Sequence, residues 1–211
     1  MTRIRRPILT TAVITLAAAT LLTARPALAG PPLVCFPFDV GSARTLPMGP
    51  NGWHDTDRTY DVSRLIDDTI ALLGPSTPVI VRMETLRRAT LYAGTNPTIA
   101  AALLAKLEAR AAARQPDVSL AVFDFGYLVE TYRQAALMFK NTLPSVETID
   151  GYGLVQKAYA FQRDAEIAFA SAIIAASPKR ADFDAHRRDA LAGAKTDALL
   201  SANIATHLSN P

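Results

Sequence analysis

The residues able to do chemistry are scarce. The chain has 211 residues with one cysteine, Cys35, and three histidines, His54, His186 and His207. A structural zinc site built on Cys and His takes four ligands and would consume all of them. Di-iron helical bundles carry Glu three residues before His, a spacing absent here. The Cys-x-x-Cys-His of haem attachment, Gly-x-Ser-x-Gly and glycine-rich phosphate loops are also absent. No metal or cofactor is expected. Asp182 and His186 share a helix face at i, i+4 and read as a solvated pair near a helix start. A thiol nucleophile would need His54 or another base beside Cys35. Between Val34 and Phe36, the cysteine reads as a small, buried or half-buried structural thiol, with pairing between chains as the alternative.

The acids are more informative. Asp124 lies between Phe123 and Phe125, and Glu84 sits amid Arg82, Arg87 and Arg88. A carboxylate on an apolar helix must find partners, because an unpaired buried charge is costly. One reading joins Arg87, Arg88, Asp124 and Glu130 in a polar pocket for a small polar ligand or a peptide end. The other has them bridge adjacent helices. Tyr127, Tyr132, Tyr152 and Tyr159 read as core-edge aromatics.

Helices must position these groups. Val62, Leu65, Ile66, Thr69, Ile70 and Leu73 have the spacing of one helical face, and Gly74-Pro75 stops it. Thr77-Pro78 opens a second helix, with Thr77 as cap, running to about Ala93; Asn96-Pro97 opens a third, to about Arg114. A fourth runs from Pro116-Asp117 to about Lys140. Ala121, Phe125, Leu128, Tyr132, Ala135 and Phe139 form its stripe, widened by Phe123, Tyr127 and Met138 into the surface of a central helix. A fifth spans about 151–176, with small residues on its seam. A sixth spans about 181–207 after Ser177-Pro178. No segment alternates with period two. The expected fold class is all-α.

Residues 1–29 read as a signal peptide: Arg3, Arg5 and Arg6, an apolar run from Ile8 to Leu22, and Ala27-Leu28-Ala29 before the cut. Removing its four arginines from 22 basic residues leaves 18, against 19 acidic ones. The formal net charge of +3 therefore belongs to the leader, and the remainder offers no electrostatic case for nucleic acid. The chain is expected to be periplasmic or secreted, without stable membrane insertion after cleavage. Residues 30–60, rich in Pro, Gly and aromatics, read as an irregular arm docked on a helical domain at 61–211. Val34, Phe36, Phe38, Val40, Leu46 and Trp53 are too apolar for comfortable solvation.

The paired helices echo tetratricopeptide hairpins, whose period is about 34 residues. Tyr92 takes the large aromatic position, with Ala89 and Ala101 at the small ones. A compact helical bundle is the alternative. The stretches "VCFPFDVGSARTLP", "VIVRMETLRRATLYA" and "FDFGYLVETYRQA" resemble segments of a family of exported bacterial helical proteins of unknown function. There an arm with the pattern Cys-x-Pro-x-Asp-(Ile/Val)-Gly-x-Ala-(Lys/Arg)-x-Leu-Pro precedes helical hairpins. The resemblance implies an architecture and no catalytic residues. The expected function is a binding or scaffold module contacting protein or peptide partners. The alternative is a helical enzyme or small-ligand binder using the acid/arginine pocket on the second, fourth and fifth helices.

Overall fold

The computed structural model describes residues 30–113, 117–140, 142–176 and 180–208. The expected leader, the Arg114–Pro116 junction and the Ser177-Pro178 break lie outside them. The described residues are all-helical: α1 (Pro32–Cys35), a 3-10 turn (Val62–Arg64) leading into α2 (Leu65–Leu72), α3 (Val79–Ala93), α4 (Pro97–Ala112), α5 (Val118–Ala135), α6 (Gly151–Phe161), α7 (Ala165–Ala176), α8 (Phe183–Gly193) and α9 (Ala198–His207). Consecutive helices α4–α5, α5–α6 and α7–α8 pack closely, while α3 reaches α5 and α7 across the fold. One core runs through them, from Leu33 near the described start to Leu208 at its end.

Local chemistry explains most of the boundaries. Asn96 caps α4 by accepting from the Thr98 and Ile99 amides, and Asp150 caps α6 by accepting from Gly153. The expected fifth helix is two. The chain extends at Gln162, and the Asp164 carboxylate accepts from the Glu166 and Ile167 amides, starting α7. The expected sixth helix also divides, because Asp197 is extended and caps Leu200 at the start of α9. Helix α5 stops at Ala135, short of Lys140. Leu137 is then 88% exposed, and Phe139 folds back over Gly94, where an added Cβ would lie 2.6 Å from the ring. Phe139 therefore leaves the α5 stripe, and Met138 does not widen the core. Thr77 does not cap α3. Its hydroxyl donates to the Leu72 carbonyl, and the Ile80 amide is instead satisfied by Glu166 of α7, at 2.8 Å.

Two helices are central. On α5, twelve consecutive residues from Ala121 to Tyr132 are buried. It meets α6 so closely that a Cβ on Gly126 would lie 2.7 Å from the Gly151 carbonyl oxygen. Helix α3 is buried on almost every side despite its three arginines. The sequence suggests a central α5; that α3 shares this place is visible only in the packing. Phe125→Ala is expected to cost about 3 kcal/mol, the lower end for a buried phenylalanine because its edge reaches the surface. Phe183→Ala, at a half-buried site at the start of α8, should cost clearly less. Urea unfolding of both variants checks the order, and equal losses would contradict the central place of α5.

Candidate functional site

The buried acids and arginines divide into three groups. The largest centres on Glu84, fully buried on α3. Arg87, three residues on, donates to it from Nε at 2.7 Å and Nη2 at 2.8 Å, and Arg88, four residues on, donates from Nε at 2.6 Å. The fork geometry of arginine suits such a carboxylate. The remaining donors turn outward to the N-terminal arm. Arg87 Nη1 donates to the Val34 carbonyl at 3.1 Å and the Trp53 carbonyl at 2.9 Å, and Arg88 Nη1 donates to the Leu46 carbonyl at 2.6 Å. Glu84 itself accepts from the Phe38 amide at 3.0 Å.

Further side chains on α3, α5 and α9 hold the arm in the same manner. Gln134 of α5 accepts from the Leu33 amide, and Tyr92 of α3 donates to the Pro47 carbonyl while accepting from the Asp57 amide. Asn203 of α9 makes the paired contact of a β-ladder residue. Its Oδ1 accepts from the Asp39 amide at 2.9 Å, and its Nδ2 donates to the Asp39 carbonyl at 2.8 Å. These bonds engage the arm's main chain. Its side chains are engaged by burial: Leu33, Val34, Phe38 and Leu46 are all buried. The Phe38 ring lies edge-on to Phe169 of α7 and stacks on His207 of α9, with centroids 4.5 Å apart. The arm, with α1 near its start, therefore packs across α3, α5, α7 and α9 and is held by these bonds and by burial.

The second group is Arg82 with Asp124, 2.7 Å apart and both fully buried between α3 and α5. Arg82 also donates to the Thr77 and Gly74 carbonyls, and Arg110 of α4 comes within 3.6 Å of the same carboxylate. Burial pushes the Asp124 carboxyl up to about 6, against the pull of Arg82 and Arg110. This group ties three helices together. The third is Glu130 with Arg133, which also donates to the Val146 and Ile149 carbonyls. It borders a cavity of about 540 Å³ that Glu147, Asp150 and Arg180 also line. Arg180 lies over the Tyr152 ring at 4.2 Å.

The four residues expected to share a pocket are therefore held apart. Arg87 and Arg88 face Glu84 and the arm, Asp124 faces Arg82, and Glu130 borders a cavity. Each found a nearer partner. Sequence reasoning placed Glu84 among arginines without giving it a site, although its i+3 and i+4 spacing to Arg87 and Arg88 is the signal for the cluster. Asn203, Gln134 and His207 carry no such signal, because their partners lie 101 to 164 residues away or are aromatic rings.

The remaining candidates are structural. His186 is buried rather than solvated, and Asp182, 3.7 Å from it, accepts a bond from the Tyr152 hydroxyl. Burial lowers the His186 pKa against the pull of Asp182 and Asp189. Cys35 is a free, half-buried thiol whose pKa burial raises, with Arg87 opposing, so it is a poor nucleophile. Among the described residues, no group of three or more Cys, His, Asp or Glu side chains is placed to hold a metal, and no helix is long and apolar enough to cross a membrane. Comparison with protein-family models, curated proteins and solved structures finds no match, so the family resemblance rests on the quoted residues alone.

Proposed function

We propose that this chain is an exported, tetratricopeptide-like binding protein whose helical groove takes an extended peptide segment of a protein partner. The observation that supports this reading is the way the arm is held. Glu84, Arg87, Arg88, Asn203, Gln134 and Tyr92 all bond main-chain atoms. Main-chain bonds favour any extended segment, and pockets for alternate side chains supply selectivity, as in other peptide-recognition surfaces. The arm's anchor is an aromatic ring, Phe38, packed against Phe169 and His207. In this reading the arm occupies the groove when the partner is absent, and the partner segment competes with it.

The test is complementation in trans. Phe38→Ala removes the arm's aromatic anchor and leaves the groove intact, at a cost of about 3–5 kcal/mol in docking. A labelled peptide of residues 31–48 added to this variant at pH 7.5 is expected to bind saturably by fluorescence anisotropy. It should bind the unaltered chain far more weakly, since there the tethered arm competes. Leu46→Ala serves as a second variant should the first fold poorly. Absence of binding to both, with helical content retained, would overturn the reading. The small-ligand alternative narrows to the Glu130–Arg133 cavity, since the other three residues are committed to internal pairs.

A further inference from the structure

A histidine packed against the arm's aromatic anchor has a position that gives it a second task. His207 ends α9 and stacks on Phe38, with Phe169 edge-on behind it. Both of its ring nitrogens are buried without a hydrogen bond of good geometry, and the acceptor beside them is the Pro37 main-chain carbonyl of the arm. One turn earlier on the same helix, Asn203 grips the Asp39 main chain. The imidazole therefore serves as an apolar plate against the arm's main anchor.

We propose that His207 is an acid-sensitive latch, releasing the arm and freeing the peptide groove when the imidazole takes a proton. This rests on the groove reading above only for what the released groove then does. The release itself follows from the contacts. A charged imidazolium between two phenyl rings, with no acceptor carboxylate of its own, is poorly solvated. The charged groups facing it are Glu84 and Arg87 of α3, which pair with each other and pull it in opposite directions. From the arm come the Phe38 ring and the Pro37 carbonyl, and from α7 the Phe169 ring.

The direction follows from linkage. Burial lowers the His207 pKa to about 4 from its ordinary 6.5. With the arm released, the imidazole regains its ordinary value and binds a proton more readily than in the docked state. Docking is therefore at full strength above pH 6.5 and weakens as pH falls toward 4. At pH 5 those two values imply weakening by about 30-fold. Asp124 and Glu166, whose carboxyls burial pushes up to about 6 and about 7, titrate over the same range but make none of the arm's hydrogen bonds.

Amide hydrogen exchange of the full chain reads this equilibrium directly. The Leu33, Phe38 and Asp39 amides are bonded to Gln134, Glu84 and Asn203, so their protection reports arm docking. Corrected for the intrinsic rate, protection is expected to fall about 30-fold from pH 7.5 to pH 5. In His207→Phe, which keeps an aromatic plate and cannot titrate, the fall should be absent. The same pH dependence in both chains would overturn the latch. So would an imidazole of His207 that titrates near 6.5 by NMR in the native chain, a measurement that needs no variant. The two proposals fail separately. Peptide binding at pH 7.5 with pH-independent protection leaves the groove and removes the latch. Loss of protection in acid without any peptide binding leaves the latch and removes the groove.

Discussion

Glu84→Ala is expected to lower stability by about 5 kcal/mol, a large part of what holds an ordinary domain folded. Glu84 is fully buried and accepts from two guanidinium groups and one amide. Removing one partner of a buried pair costs about 3–5 kcal/mol, because the other charge is left unsatisfied. Here Arg87, itself fully buried, would be left with only the Val34 and Trp53 carbonyls. Arg88 is part-exposed and can turn to water, so it adds little. The Phe38 amide also loses its acceptor, which adds about 1 kcal/mol or more. The loss should be concentrated in the arm. Hydrogen exchange should show the amides of Leu33, Phe38 and Asp39 unprotected, while α4 and α5 retain most of their protection. Glu84→Gln keeps one acceptor and should fall between. A loss below about 1 kcal/mol in urea unfolding would mean that the arm does not depend on this cluster.

Asp124→Ala is expected to cost about 3–5 kcal/mol by the same principle, at a different place in the fold. It would leave Arg82 fully buried between α3 and α5 with only two carbonyl acceptors. The destabilisation should be global, because the pair joins the two central helices and Arg110 adds α4. Replacing both members, as in Asp124→Leu with Arg82→Met, should recover much of the loss, since apolar pairs of similar volume often match buried ion pairs. The pH dependence has a definite sign. Burial raises the Asp124 carboxyl to about 6 from 3.8, so the folded chain holds this proton more tightly than the unfolded one. The site's contribution therefore becomes more favourable as pH falls from above 6 toward 3.8. Asp124→Asn cannot titrate and should lose this gain. The difference in stability between Asp124→Asn and the unaltered chain, measured by urea at pH 7 and pH 4.5, should grow on acidification. A difference that stays constant would contradict a buried, raised carboxyl.

The sequence by itself determined the class of the fold and many of its helix boundaries. Periodicity along α2 to α5 predicts helices, and Asn96 caps where its type and its place before Pro97 suggest. These features depend on neighbours within about four residues, so they are readable in one dimension. The breaks before α7 and α9 carry the same kind of signal in Asp164 and Asp197, which the continuous alanine-rich periodicity obscures. Of the arm residues read as too apolar for solvation, Val34, Phe38 and Leu46 are buried, while Phe36, Val40 and Trp53 are half-buried. What only the tertiary structure decided is which charge meets which. Asp124 and Glu130 lie six residues apart on α5, yet one is matched across helices by Arg82 and the other by Arg133 beside a cavity. Phe38 meets Glu84 across 46 residues, and Asp39 meets Asn203 across 164. Whether a carboxylate becomes a ligand site, a clamp or a structural pair depends on desolvation and on the partners that packing brings within about 3 Å. Both are properties of neighbours in space, and a chain's order of residues encodes them only through the fold it adopts.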